Sequence, residues 1–412
     1  MTDAYLPAGR DVTVEHGHLT ELAYTRVGDD TAVSILRDDA GRYFAAPVVG
    51  DRSRRAVPGD GASEALVRAL AGGRTLDDGF SLSWWYAEEC TGESGIAVDQ
   101  TNESVIVGDS AVVKWSVEIA PGPHPSPQRL ATLADAGFDG MPRPWGVLTW
   151  QPSAGDEPRL VAIVDEYVPG AVDGWEWAVG DVRTALVSGS ESGVRDAATR
   201  LGTLIGDLHA ALATAGRHQA SSSEAAQLAA DAHAELDEAV RLTDGVEGKR
   251  LRYRADRLHR LLDDLRNTAG SALIDVHGDL HVGQVLRADD RYAVIDFDGN
   301  PVLEAAGRLA RQPAATDVAG MLQSLDNVGH VVVRRTDGAD RTTVSRLTAG
   351  ARGSFLEAYR ETLATHGESD LLDESLLVPL RIRQICREYL YAAKHLPRWL
   401  YVPDAAVIGF DE

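Results

Sequence analysis

His277-Gly278-Asp279-Leu280-His281-Val282-Gly283-Gln284, then a polar gap and an apolar run into Ile295-Asp296-Phe297-Asp298, is the stretch whose reading decides this chain. It sets an acid, an amide five residues later and a second acid after a strand, in the order that phosphoryl transfer from ATP uses a base and its metal ligands. On that template Asp279 accepts the proton of an attacking hydroxyl, while Gln284 and Asp296 hold magnesium. Asp298 either joins the metal shell or caps the following turn. Gln in place of Asn keeps a hard carbonyl oxygen, the ligand type magnesium accepts, and changes only its reach. His-Gly-Asp alone would be weak, because Gly-Asp pairs are common in turns and a nearby His usually hydrogen-bonds the backbone. The spacing to Gln284 and the Asp-Phe pair beyond make the motif specific.

Working outward, Arg291 to Ile295 reads as a buried strand that carries Asp296 to its end, between the turn residues Asp289-Asp290 and Gly299-Asn300-Pro301. Far upstream, Ser104 to Val107, Gly108-Asp109-Ser110 and Ala111 to Trp115 read as a hairpin whose second strand presents Lys114, placed to meet the α and β phosphates of a nucleotide. A glycine-rich phosphate loop is missing, so backbone amides and hydroxyls from Thr101 to Ser104 are expected to cover the phosphates. Ser126-Pro127 reads as an N-cap with Pro at the first helical position, and Gly137 as the stop. That helix offers Gln128 and Asp135 but no Glu to pair with Lys114. Leu160 to Val164 is a continuous apolar run leading into Asp165-Glu166-Tyr167-Val168 and then Pro169-Gly170, a strand and hinge where Asp165, Glu166 and Tyr167 are the expected adenine contacts.

Residues 1–92 carry hairpin signals at Thr31 to Leu36 and Tyr43 to Val49 around the turn Asp38 to Gly41, then a helix from Ala62 to Leu70 closed by Gly72-Gly73. They are expected to form a small cap, 93–168 an ATP lobe and 169–412 a helical lobe with the catalytic loop and the acceptor site. In the last of these, residues 194–216 have helical apolar spacing and include His209, expected to be packed or capping rather than catalytic, and 221–266 suit one or two amphipathic helices.

The chain has 412 residues with 40 basic and 63 acidic side chains, a net charge of −23 that argues against a nucleic-acid partner. Cys90 and Cys386 are the only cysteines, so no disulfide framework is implied. There is no leader pattern at Met1 and no run of 18 apolar residues, so a cytoplasmic protein without a membrane anchor is expected.

The catalytic-loop and Asp-Phe motifs resemble those of the aminoglycoside phosphotransferase-like kinase superfamily. Gly283-Gln284-Val285-Leu286, Asp296-Phe297-Asp298-Gly299, Gln100 to Val105, Lys114, Pro121-Gly122-Pro123 and Asp317-Val318-Ala319-Gly320-Met321 resemble more closely its maltokinase and actinobacterial glucosamine kinase branch, over about residues 95 to 400. The resemblance implies an α+β, bilobal protein-kinase-like fold with an N-terminal cap, a β-rich ATP lobe and a mainly helical C-lobe. It implies ATP as phosphoryl donor, Mg2+ as cofactor, an amino sugar as acceptor and a monomer or homodimer.

The acceptor side is expected on the helix from Leu380 to Leu396, where Gln384, Glu388, Tyr391 and His395 share one face and Trp399 follows Pro397. By spacing alone this is equally a solvated face. The string Gln384 to His395 with Trp399 resembles the substrate-determining segment of the glucosamine kinases, which implies that Glu388 meets a protonated 2-amino group, a contact worth about 1.5 to 3 kcal/mol. Arg308 and Arg311 are placed either to neutralise phosphoryl charge or to hold a carboxylate. The expected reaction is phosphorylation of glucosamine at its 6-hydroxyl. Maltokinase or aminoglycoside kinase activity, and a kinase-like binding module without turnover, are the alternatives.

Overall fold

Alternating β-branched runs pair as an antiparallel sheet of β1 (Thr20–Arg26), β2 (Thr31–Arg37), β3 (Tyr43–Val49) and the short β4 (Arg54–Arg55). The structure, a computed structural model, describes residues 18–50, 54–96 and 103–410. Helix α1 (Ala62–Ala71) ends at Gly72, as the glycine pair required. A six-stranded antiparallel sheet follows, formed by β5 (Phe80–Trp84), β6 (Glu93–Gly95), β7 (Glu103–Val107), β8 (Ala111–Trp115), β10 (Pro144–Trp150) and β11 (Arg159–Glu166) in the order β5-β10-β11-β8-β7-β6. Between them, β9 (Glu118–Ile119) leaves this sheet and pairs with β3.

Strands are therefore exchanged: β5, from the first ninety residues, lines the edge of the second sheet, and β9 returns to the first. One hydrophobic core joins Val33 and Ile35 of β2, Leu66 and Leu70 of α1, and Val113, Trp115, Leu148 and Val164 of the second sheet. The buried Trp115 indole N–H finds its partner in the Ser63 hydroxyl at 3.0 Å, so the polar end of a large core residue is satisfied. Helix α2 (Pro125–Asp135) begins one residue before the expected Ser126 N-cap. Pro125 occupies the start, where its missing N–H has no intrahelical role, and Ser126 lies inside the helix.

The described residues up to Ala134, with Pro142–Gly170, form one compact unit, and Asp135–Met141 with those from Ala171 onward form a second. The second is mainly helical: α3 (Gly174–Ser188), α4 (Ser192–Ala213), α5 (Ser222–Leu242), α6 (Gly245–Leu262), α7 (Ala305–Leu309), α8 (Ala315–Arg335), α9 (Arg341–His366), α10 (Leu377–His395) and α11 (Tyr401–Ile408). The 221–266 segment resolves into two helices because Asp244-Gly245 interrupts it; Gly245 has φ 72°, favourable for glycine. Two short antiparallel pairs complete the unit: β12 (His218–Gln219) with β13 (Ala272–Leu273), which brackets α5 and α6, and the hairpin of β14 (Val285–Ala288) with β15 (Arg291–Val294). Among the described residues no helix is long and apolar enough to cross a membrane. The architecture is the α+β, protein-kinase-like one expected.

Candidate active site

The loop His277–Gln284 is held from three sides by buried groups. Asp317, at the start of α8, accepts the His277 N–H at 2.7 Å and the Gly278 N–H at 2.8 Å. His209 of α4 bonds Asp317 Oδ2 through Nε2 at 3.1 Å and the Tyr359 hydroxyl of α9 through Nδ1 at 2.7 Å. Burial alone would raise the Asp317 carboxyl, but the His209 contact, the neighbouring His277 ring and the Gly278 amide outweigh it and hold it below its ordinary value. His277 closes the other side: its Nδ1 accepts the Asp279 N–H at 3.3 Å, so Nε2 carries the proton and donates to the Ile295 carbonyl at 2.9 Å. One imidazole thus ties the loop to the residue before Asp296.

Helices reach this loop through glycines. A Cβ on Gly174, the first residue of α3, would lie 1.6 Å from the Val282 carbonyl oxygen, and one on Gly320 of α8 would lie 2.6 Å from that of Leu280. Neither position has room for a side chain. The buried Val282 N–H is taken by Ser324 Oγ at 3.0 Å.

Asp279 points its Oδ1 at the Asn300 side-chain amide, 2.9 Å away, and Asn300 in turn accepts the Val302 N–H at 3.0 Å. Burial pushes the Asp279 carboxyl up to about 7, and the Asp296 charge adds to the shift, while Arg387 and the Asn300 bond oppose it. A carboxyl poised near neutrality suits proton acceptance. The Gln284 amide donates to Asp296 Oδ2 at 3.2 Å. This contact aims the amide nitrogen at the carboxylate. Asp296 itself sits at φ 70°, a left-handed conformation uncommon for a non-glycine residue and concentrated at functional sites. The strand feeding it stops at Val294, and Ile295 N–H pairs with the Gln284 carbonyl at 2.9 Å. Asp298 follows two residues on, partly buried.

Among the described residues no group of three or more His, Cys, Asp or Glu side chains forms a metal cage. The donors here are instead an amide oxygen and carboxylates, hard ligands of the kind magnesium combines with water and substrate phosphates. They fit that ion.

On α10 the expected polar face divides. Glu388 Oε1 accepts from the Asn327 amide of α8 at 2.9 Å, Gln384 hydrogen-bonds the same carboxylate, and Oε2 is buried with no hydrogen-bond partner. Burial pushes Glu388 up to about 7 against these two hydrogen bonds, and the Asp279 charge adds to the rise. Tyr391 and His395, a turn or two on, are exposed and pack on each other with ring centroids 5.3 Å apart. Trp399 meets Trp175 edge-on at 5.5 Å, and Trp175 lies 6.1 Å from the His281 ring of the loop. Arg311 donates to the Ala215 carbonyl at 3.0 Å. Beneath Glu388, the buried Arg383 and Arg387 share Glu235 of α5, with contacts from 2.8 to 3.3 Å.

In the first unit Lys114 lies on β8 opposite Ser104 on β7 and Ile163 on β11, alternating with the buried Val113 and Trp115, so it projects from the face opposite the core. Glu166 gives its N–H to the Arg143 carbonyl at 2.8 Å, and Tyr167 gives its N–H to that of Ser110 at 2.8 Å. Those two amides are engaged within the sheet; Asp165 precedes them at the end of β11. Thr101 lies outside the described residues.

Asp317, Asn300, Asn327, Trp175 and Glu235 were not assigned a role from sequence. Asp317 had a signal in the Asp317 to Met321 string and Asn300 only one as a turn residue; Asn327, Trp175 and Glu235 carried none.

The chain belongs to the phosphotransferase enzyme family, whose model it matches over residues 94–360, and it is a kinase that phosphorylates an alcohol. A glucosamine kinase of Streptacidiphilus jiangxiensis is 50% identical over 98% of this chain and 94% of its own length. One from Mycolicibacterium smegmatis is 45% identical over 92% of each. A solved glucosamine kinase in complex with glucosamine, ADP and inorganic phosphate is 48% identical, with a TM-score of 0.84 over 96% of this chain and 94% of that one. A second crystal form of a glucosamine kinase gives a TM-score of 0.86 at 48% identity, over 96% and 95%.

Proposed function

We propose that the protein is an ATP- and magnesium-dependent kinase that phosphorylates glucosamine on its 6-hydroxyl. The observation that carries the amino-sugar part is Glu388: one carboxylate oxygen is bonded to Asn327 and the other is buried and unpartnered, in electrostatic reach of Asp279. A buried carboxylate oxygen lacking a donor is costly, and a protonated 2-amino group supplies both the donor and the opposite charge. Glucose would leave Oε2 facing a neutral hydroxyl. The likeness to glucosamine kinases over nearly the whole chain supports the same acceptor.

In this reading Asp279, oriented by Asn300, binds the 6-hydroxyl and takes its proton as phosphoryl transfer proceeds. Gln284 and Asp296, with Asp298, hold magnesium, which when bound polarises phosphate oxygens as a Lewis acid. Lys114 pairs with the nucleotide phosphates, Ser104 and Thr101 cover them, and Asp165 to Tyr167 meet the adenine. Gln384 orients Glu388, Trp399 offers the sugar an indole face, and Tyr391 and His395 close the open end of the acceptor region. Arg311 acts as a structural support through the Ala215 carbonyl after α4.

ADP release from magnesium-ATP with glucosamine, glucose, maltose and an aminoglycoside tests the reading, with phosphorus NMR of the product to locate the phosphate. Turnover on glucosamine, with phosphorus coupled to the two C6 protons and lost in Asp279→Asn, is expected. Preference for maltose or for an aminoglycoside overturns the acceptor.

A further inference from the structure

Away from this site, α5 and the C-terminal end of α6 carry matching His-x-x-x-Asp sequences, His233 to Asp237 and His259 to Asp263, the last residue lying just past α6. Each histidine reaches the aspartate of the other helix. His233 Nε2 lies 3.2 Å from Asp263 Oδ1, and His259 Nε2 lies 3.1 Å from Asp237 Oδ1. The rings lie nearly coplanar and edge to edge, with centroids 4.9 Å apart at 22° and the two Nδ1 atoms facing at 2.7 Å.

The tautomers follow from these contacts. An ionised carboxylate only accepts, so each Nε2 must carry the proton it donates to aspartate. When neither ring carries a second proton, each is left with a lone pair on Nδ1, and the two lone pairs face each other across 2.7 Å. That is a repulsive arrangement unless a positive centre lies between them. Metal-binding histidines have this outer shell: one ring nitrogen on the ion, the other donating to a carboxylate that fixes the ring and raises its basicity. The geometry points to a transition-metal site at His233 and His259, for an imidazole-preferring divalent ion of the zinc or nickel class.

Asp237 and Asp263 orient the two ligands from outside and do not touch the ion. This keeps the site below the three-ligand cages that are absent among the described residues. The imidazoles are 24% and 30% exposed, so water reaches the remaining coordination positions. At zinc–nitrogen distances of about 2.0 to 2.1 Å with tetrahedral angles, the two nitrogens stand roughly 3.3 Å apart. Loading therefore moves the two nitrogens apart by about half an ångström and turns each ring by roughly 35°, so that both lone pairs converge on the ion.

The test is calorimetric titration of the chelator-treated full-length protein with zinc chloride, in excess magnesium so that hard oxygen sites are occupied. One equivalent bound by the unaltered chain, lost in His233→Gln and in His259→Gln, is expected. The pair Asp237→Asn with Asp263→Asn should bind about 10- to 100-fold more weakly, the usual effect of removing outer-shell partners. Far-ultraviolet circular dichroism verifies that each variant folds, and zinc should raise the thermal midpoint of the unaltered chain, that of the aspartate pair less, and that of neither histidine variant. Absence of binding, or equal binding by the histidine variants, overturns the site and leaves a proton as the bridge between the rings.

Discussion

Asp317 holds Gly278 by a hydrogen bond from the glycine N–H to Oδ1 at 2.8 Å, while its other oxygen takes the neighbouring His277 N–H. Two successive amides on one buried carboxylate leave the loop backbone little freedom, and Gly278, at φ 85°, supplies the bend that lets both point the same way. Asp317→Asn keeps the size but turns one acceptor into a donor facing an amide. A loss of about 1 to 3 kcal/mol in urea unfolding is expected, the cost of a buried group left unsatisfied, together with a fall in kcat larger than any change in KM. Unchanged stability would mean the loop is held elsewhere.

Glu388 links acceptor recognition to pH. Its carboxyl is raised from 4.5 to about 7 in the folded chain, so its contribution to stability is fully present below about pH 4.5 and lost as pH rises through 7. The span corresponds to on the order of 3 kcal/mol. Glu388→Gln should therefore raise the thermal midpoint of the ligand-free protein at pH 8 and leave it nearly unchanged at pH 4.5. The same variant should raise KM for glucosamine by at least about tenfold, from loss of a charge-assisted hydrogen bond. A variant that is both less stable at pH 8 and unaltered toward glucosamine would sink the assignment.

Glu235 is the shared acceptor of two buried arginines, Arg383 and Arg387, under the acceptor helix. Glu235→Gln leaves two buried guanidinium groups without a compensating charge and should cost about 3 to 5 kcal/mol in denaturant unfolding. A double-variant comparison with Arg383→Met isolates the pairwise part, and a substantial coupling is expected because the groups are in contact.

Lys114 alternates with core residues on β8, so its side chain can be shortened without opening the core. Lys114→Met should fold with an unaltered unfolding midpoint and lose about 100- to 1000-fold in kcat if it stabilises phosphoryl charge. Activity near that of the unaltered chain would remove Lys114 from the mechanism.

Local spacing made the order Asp279, Gln284, Asp296 readable, because the loop, its short turn and the following hairpin are consecutive in the chain. The strands and helices around them were legible for the same reason: a period of two or 3.6 and a glycine or proline stop are written in neighbouring residues. The α10 face shows the boundary of such reasoning. Helical geometry sets Gln384, Glu388, Tyr391 and His395 in one direction, but Asn327 of α8 bonds one end of that face while Tyr391 is 43% exposed at the other. Nothing in the local period says which neighbour will cover which turn.

By itself the sequence determined the acid–amide–acid order and the presence of only two cysteines, properties of residue type and short-range spacing, and the α+β kinase-like class through the family resemblance its motifs carry. Tertiary structure alone decided the exchange of β5 and β9 between two sheets, the Asp317 anchor 40 residues beyond His277, the His209–Tyr359 contact across 150 residues and the crossed histidine pairs of α5 and α6. Those pairings depend on which hydrophobic faces bury together. Side chains far apart in sequence acquire partners only after the shared core has fixed where their helices and strands lie.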